Sequence, residues 1–412
     1  MCNFATIIYV RHINSTGMKT DMNKIKAFFS KPFFNNYQTL LGLWLFLAFM
    51  AWLTKFFPGK YNNFLIFKHH FWHTINQLPL FAPYPAEYHD LNYYGPAFSL
   101  VIAPFAVTPL WLGLLMWLSA SAFFLYIAVR KLPMTQKQQI FIYWFCAHEL
   151  LTALFMSQFN IAIAAIIVLS FVFINEEKDG YAAFMIMLGT FVKLYGIVGL
   201  AFFFFSRHKI KFILYCLLWA AVMFAAPMLI SSPEYVLSQY TDWLDHLSTK
   251  NGSNMFSQKQ NVSLLGMIRK ISGCATYSDI WVIIPGMIAF AIPYLRIKQY
   301  KNLAFRLTLL ASTLLFVVLF STGSESSTYI IPFIGVAIWY VAAPWKRSKL
   351  DIGLMIFAFI LTSMSPSDLF PRYIRVHYVF PYALKAFPCV LIWFKLCWEM
   401  YTKDYSQNVL CK

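Results

Sequence analysis

The sequence predicts an all-α, polytopic integral membrane protein, and three observations carry that class. Hydrophobic residues make up 60% of the 412 and charged residues only 12%, with a mean hydropathy of +0.60, where a soluble domain carries about 25% charged residues. Apolar stretches of about 16 to 25 residues recur from Leu40 to Met400, long enough to be bilayer crossings. They are also too long and too uniformly apolar for the alternating ~10-residue strands of a membrane barrel, so each crossing is expected as a helix.

Taken in order, full spans are expected near residues 40–57, 109–129, 138–156, 159–175, 210–230, 278–296, 306–321, 328–344, 350–364 and 379–398. Residues 96–108 form a short apolar piece broken by Pro104 and Pro109, expected as a half-helix. The stretch 181–205 has charged flanks at both ends, so a single crossing would leave one flank on the wrong side. A hairpin of two short helices turning near Lys193 resolves this. Together these give about 10–12 transmembrane helices in one domain, 38–400, between a basic lead-in (1–37) and a tail (401–412).

Charge then orients the chain. The segments assigned to one face hold 21 Lys/Arg in 87 residues and those assigned to the other hold 10 in 116. The positive-inside bias places both termini in the cytoplasm, with the plasma (inner) membrane as the expected location. The net charge of +17, from 33 basic and 16 acidic residues, is accounted for by these loops and does not call for nucleic acid. The seven cysteines are scattered with no CxxC pair, which argues against a metal or disulfide framework.

With that orientation, the polar segments gather at the outer face. The richest is the loop 62–95, with Glu87, Asp90 and several aromatic residues before Gly95–Pro96. Asp90 is the first candidate for a base that takes a proton from an attacking hydroxyl. Glu325 in GSESSTY and Asp368 in SPSDLFPRY are further outer-loop carboxylates, with helix capping as the plainer explanation. Glu149 and Lys385 are ionisable groups within apolar spans, which marks them as candidate functional residues; an interhelical clamp is the structural alternative for Glu149. Lys193, Lys385, Arg372 and Arg375 could hold a lipid phosphate, since cations beside an anionic leaving group are what phosphate-ester cleavage needs. Trp72, Tyr84, Tyr93 and Tyr94 could stack on sugar faces. His69, His70, His73 and His89 invite a metal reading, because HHFWH supplies i, i+1 and i+4 and His69 and His73 could share a helix face. No cysteine joins them, an aromatic–histidine belt suits a membrane interface, and neither a metal nor a cofactor is expected.

The order of motifs resembles glycosyltransferase family 87, polytopic enzymes of the GT-C superfamily that use polyprenyl-phosphate-linked sugars, commonly mannose. The resemblance rests on NNFLIF after the first span, then LPLFAPYP, YYGPAFSLVIAPFA, ELLTALFMSQFN, FVKLYG, SESSTY and SPSDLFP. It implies a GT-C-like fold. It also implies that an aspartate soon after the first span acts as base; the matching position here is Asn62 or Asn63. The family's Gln-Val-Asn-like element matches Gln158 and Asn160, and its hairpin lysine matches Lys193. The implied partners are a polyprenyl-phosphate-linked sugar donor and a glycan or glycolipid acceptor.

The expected function is therefore an inverting membrane hexosyltransferase working at the outer face. Its catalytic candidates are Asp90, Glu149, Glu325 and Asp368. Its binding candidates are Asn62, Asn63, Tyr93, Tyr94, Gln158, Asn160, Lys193, Arg372 and Lys385. A flippase for a lipid-linked sugar would also account for Glu149 and Lys385, and an inactive scaffold for the asparagine at the family's aspartate position.

Overall fold

A computed structural model describes residues 30–254, 256–257, 259–274 and 276–406. Most of the lead-in and the last residues of the tail lie outside them. The described residues hold helices and no strand.

The first helix, α1 (Tyr37–Phe56), opens on Asn36, whose side chain accepts from the Gln38 N–H at 2.9 Å, occupying one of the donors left free at a helix start. The loop expected over 62–95 begins instead as a helix, α2 (Asn62–Ile75). Its Phe64, Phe67, His70 and Phe71 are buried on one side, and that apolar stripe, not the polar total, decides the conformation. The short helix α3 (Phe98–Ala106) matches the expected half-helix, but Pro104 sits inside it and does not end it. Three helices follow: α4 (Leu110–Arg130), α5 (Gln136–Phe155) and α6 (Asn160–Asn175). Thr135 and Gln138 form a reciprocal capping box at the start of α5.

Helix α6 is apolar on all sides and buried along nearly its whole length, as a central helix must be. α4 and the hairpin that follows pack against it. That hairpin consists of α7 (Asp179–Lys193) and a 3-10 helix, Leu194–Phe205. Although 179–205 is apolar enough for one crossing, it doubles back at Lys193, as the charged flanks required. A Cβ on Gly196 would fall 2.5 Å from the Gly189 Cα, and one on Gly199 would fall 2.6 Å from the Ile186 side chain. At the open end, Arg207 pairs with Glu177 at 2.8 Å, so both flanks lie on the same side.

Beyond the hairpin run α8 (Lys209–Ala225), α9 (Pro233–Ser253), α10 (Leu264–Ser272), α11 (Ile280–Ala291), α12 (Leu303–Leu319), α13 (Ile330–Ala342), α14 (Lys349–Phe357), the single turn α15 (Arg372–Ile374) and α16 (Phe387–Thr402). Helices α12 and α13 pack together, and α16 packs on α12. Helices α8 and α11 leave Ile213, Leu214, Leu217, Trp281, Ile284 and Ile288 exposed, an apolar surface suited to lipid.

The protein is multi-pass, but the described residues hold fewer full-length spans than the ten to twelve expected. Four helical stretches are long and apolar enough to cross a membrane, the folded-back 179–205 among them, or five if Arg372–Val379 and Leu384–Thr402 count as one span. That pair is bent by 98°, so the continuous helix expected over 379–398 is broken. The break falls at Ala383, whose φ of 54° is left-handed. The remaining apolar helices, such as Asn160–Asn175 and Leu303–Leu319, have 16 and 17 residues. At 1.5 Å per residue they reach roughly 25 Å, short of a hydrocarbon core of about 30 Å. What the sequence offered as continuous apolar runs is divided by polar turns, and several of those turns form the site.

Candidate functional site

A cavity of about 930 Å³ lies where four separate segments meet: the 90–94 loop, the Gln158 turn, the hairpin tip at Lys193 and the 321–325 loop. Local chemistry fixes each one. Asn62 makes a two-way bond with the main chain of His89, its Oδ1 accepting from the His89 N–H at 2.7 Å and its amide donating to the His89 carbonyl. The next residue, Asp90, adopts a φ of 80°, a left-handed conformation that aspartate tolerates better than most side chains. Its Oδ1 accepts from the Leu91 N–H at 2.8 Å. Further on, the Gly95 N–H donates to the Val192 carbonyl at 3.0 Å, drawing this loop onto the hairpin tip. Gly95 has no room for a side chain, since a Cβ would sit 2.2 Å from the Phe191 carbonyl oxygen.

Helix α9 covers the loop from outside. The Tyr235 hydroxyl donates to the Leu78 carbonyl at 2.6 Å, Gln239 accepts from the Leu80 N–H at 2.7 Å, and Trp243 donates to the Tyr93 carbonyl at 3.1 Å. The same helix brings Lys250 Nζ to 3.2 Å from the centre of the Tyr93 ring. Lys250 was not among the candidates legible in the sequence. Its only signal was a lysine in a segment assigned to the outer face.

The inner wall is one polar chain. Lys193 Nζ donates to Asn160 Oδ1 (2.6 Å), the Asn160 amide donates to Gln158 Oε1 (2.7 Å), and the Gln158 amide donates to Glu325 Oε2 (2.8 Å). Gln260 donates to the other carboxylate oxygen of Glu325 at 2.8 Å. Glu325 also begins a capping turn with Thr328. Both functional and capping readings of Glu325 therefore describe the same residue. The cavity is also lined by Leu194, Ile197, Val198, Ile283, Val317 and Phe320, apolar residues of the hairpin and of the α11–α12 region.

Charges in the cavity feel one another. Burial, with Asp90 and Glu325 nearby, pushes the Tyr93 phenol up to about 12. Burial lowers the Lys250 pKa, and Glu325 and Asp90 oppose that shift. Two carboxylates thus balance two cations, Lys250 and Lys193, around a partly apolar space.

Of the residues expected at a site, Asn63, Asp90, Tyr93, Tyr94, Gln158, Lys193 and Glu325 line the cavity, and Asn160 joins it through its bonds. Asn63 donates to the Met156 carbonyl at 2.8 Å. Tyr94 is buried, stacked on Phe98. Other candidates lie elsewhere. Glu149 and Lys385 pair with each other at 2.8 Å, and Lys385 also donates to the Ser326 carbonyl and hydroxyl, bracing the 325–328 turn from behind. The Asp368 side chain is 99% exposed, bound to Arg375 at 3.0 Å, and neither it nor Arg372 reaches the cavity. Trp72 and Tyr84 do not line it either; Tyr84 packs on His73. Beyond one face of α2, His69 Nδ1 and His73 Nε2 meet Glu87 Oε2 at 2.9 and 2.8 Å.

Among known sequences, the family described as Glycosyltransferase family 87 matches residues 92–322. No curated protein matches the chain.

Proposed function

Because this chain belongs to glycosyltransferase family 87, we propose that the cavity binds a hexose carried on a polyprenyl phosphate, mannose being the foremost candidate, and moves it to a hydroxyl of an envelope glycan or lipid. The observation that carries this reading is the cavity itself, whose lining combines Asp90, Glu325, Lys193 and Lys250 with the apolar Leu194, Ile197, Val198, Ile283, Val317 and Phe320. A sugar phosphate suits the polar residues and an isoprenoid chain the apolar ones. In this reading the cavity opens at the outer face of the plasma membrane with both termini cytoplasmic, as the bias of Lys and Arg among the loops supports.

Asp90 is the base in this mechanism. Its carboxylate accepts from its neighbour's N–H and is exposed, whereas both oxygens of Glu325 are taken by amides. Asp90 accepts the proton of the acceptor hydroxyl as that oxygen attacks the anomeric carbon. The bond from the anomeric carbon to the phosphate oxygen breaks, and polyprenyl phosphate leaves with the electron pair. In-line attack inverts the anomeric configuration. Lys193 and Lys250 stabilise the charge that grows on the phosphate. Glu325 positions the Gln158–Asn160–Lys193 chain, and the Tyr93 ring holds Lys250 in place. Asn62 positions Asp90 through the main chain of His89.

The flippase reading drew on Glu149 and Lys385 as intramembrane groups. Their mutual pairing and the Ser326 contacts give them a structural task, so the transferase is the reading adopted. The test is incubation of the purified protein in lipid nanodiscs with radiolabelled polyprenyl-phosphate hexoses and an envelope lipid extract. Transfer of label to the extract is expected, and its absence with every donor, in a sample that remains folded, rejects the proposal.

A further inference from the structure

We propose that His69, His73 and Glu87 form a binding site for a divalent transition-metal ion with zinc's ligand preferences, separate from the cavity, that ties the loop preceding Asp90 to helix α2. His69 and His73 stand four residues apart on α2, which sets them on one face of the helix. Glu87 comes from the following loop, and both imidazoles direct a nitrogen at one and the same oxygen, Glu87 Oε2. The three donor atoms lie within 4.8 Å of one another.

Two imidazole nitrogens and a carboxylate oxygen, with a fourth position left for water, is a zinc donor set. Bonds of 2.0 to 2.2 Å place tetrahedral ligands about 3.3 Å apart. The present separations of 2.8 and 2.9 Å need to open by only a few tenths of an ångström. Surroundings also fit. The His73 side chain is nearly buried, and its ring packs against Tyr84 and Tyr88, while His69 and Glu87 remain partly open to solvent. An ion can therefore enter from outside onto a ring already held in place.

The structural consequence follows from chain order. Glu87 lies three residues before Asp90, and α2 begins with Asn62, which fixes His89. A metal at this point would close the second tie between the same helix and the same loop. Its role is to hold the loop; the ion touches neither donor nor acceptor.

The experiment measures metal binding and not transfer, so it stands apart from the proposed activity. Full-length protein in detergent is stripped with EDTA, exchanged into metal-free buffer and titrated with ZnCl2 against a chromophoric chelator, with Co2+ absorption as a second readout. One equivalent is expected to bind, with a Co2+ spectrum of tetrahedral type. Glu87→Gln keeps a hydrogen-bond acceptor for both imidazoles but is a poor metal ligand, so it should retain the fold and lose at least tenfold in affinity, on the order of the effects seen around metal sites. His69→Ala should do the same, and the exposed His377→Ala should bind as wild type. Zinc binding that is unchanged in both Glu87→Gln and His69→Ala, or no stoichiometric binding by the folded wild-type protein, overturns the proposal.

Discussion

Lys385 Nζ lies 2.8 Å from Glu149 Oε1, with 5% of one side chain and none of the other exposed. A pair so deeply placed must be kept whole. Removing one partner leaves an uncompensated buried charge, which costs about 3–5 kcal/mol, whereas replacing both with apolar groups is often close to neutral. Glu149→Leu and Lys385→Met should therefore each lower the melting temperature in detergent sharply, and the double variant should recover most of the loss. The double variant should also retain measurable transfer, because the pair braces the 325–328 turn from behind and does not line the cavity. Complete loss of transfer in a folded double variant would return Glu149 to the list of catalytic groups.

Asp90 has the opposite profile: exposed, left-handed and lining the cavity. Asn tolerates a positive φ at least as well as Asp, so Asp90→Asn removes the proposed base without disturbing the backbone. Loss of a general base is expected to lower kcat by about 10²- to 10⁴-fold, with little change in the KM for donor. Asp90→Gly should behave similarly. Asp90→Ala is less informative, because alanine at this φ adds strain of order 1–3 kcal/mol. Full-rate turnover by Asp90→Asn would clear Asp90 of the role.

Several parts of this architecture were legible because they follow from composition and charge. The membrane class, the first span and the fold-back at Lys193 each rest on runs of apolar residues and their flanks, and the Glu177–Arg207 pair shows the flanks meeting. Assigning Asp90, Gln158, Lys193 and Glu325 to one face anticipated that they share a cavity, but the same assignment wrongly added Asp368 and Arg372. Partner choice was not legible. Nothing in the sequence says that Lys385 is neutralised by Glu149, 236 residues away, or that Arg375 takes Asp368 to the surface. Helix α2 was hidden because its polar face dominates the count while its buried stripe is only a few residues wide. Lys250 was hidden because α9 is amphipathic and covers the cavity from outside, which only packing reveals.

Lys250 sets the expectation for pH. Burial lowers its pKa from the ordinary value of 10.5, against the pull of Glu325 and Asp90. If its charge serves the leaving phosphate, activity is lost as pH rises through this lowered pKa, so the alkaline limb of kcat/KM for the donor should fall below 10.5. Lys250→Arg keeps its charge throughout this range and should move the limb upward while retaining much of the rate. Lys250→Met should raise the donor KM and remove the limb. A pH–rate profile of the three proteins checks this, and an unchanged limb in Lys250→Arg assigns it to another group.

Asn62 allows a test of why an amide stands where the family resemblance leads one to look for an aspartate. An amide both donates and accepts, and Asn62 uses both capacities on the main chain of His89. A carboxylate can only accept. Asn62→Asp would leave the His89 carbonyl without its donor and set a negative charge against it, freeing the residue that precedes Asp90. The cost of one lost hydrogen bond, about 1 kcal/mol, is small for the fold but falls on the backbone that aims the base. The expected result is a melting temperature close to wild type with a kcat reduced about tenfold or more, since small misplacements of a reacting group are expensive in rate. A gain in kcat would mean instead that a carboxylate at position 62 reaches the acceptor, and the base would have to be reassigned from Asp90 to that position.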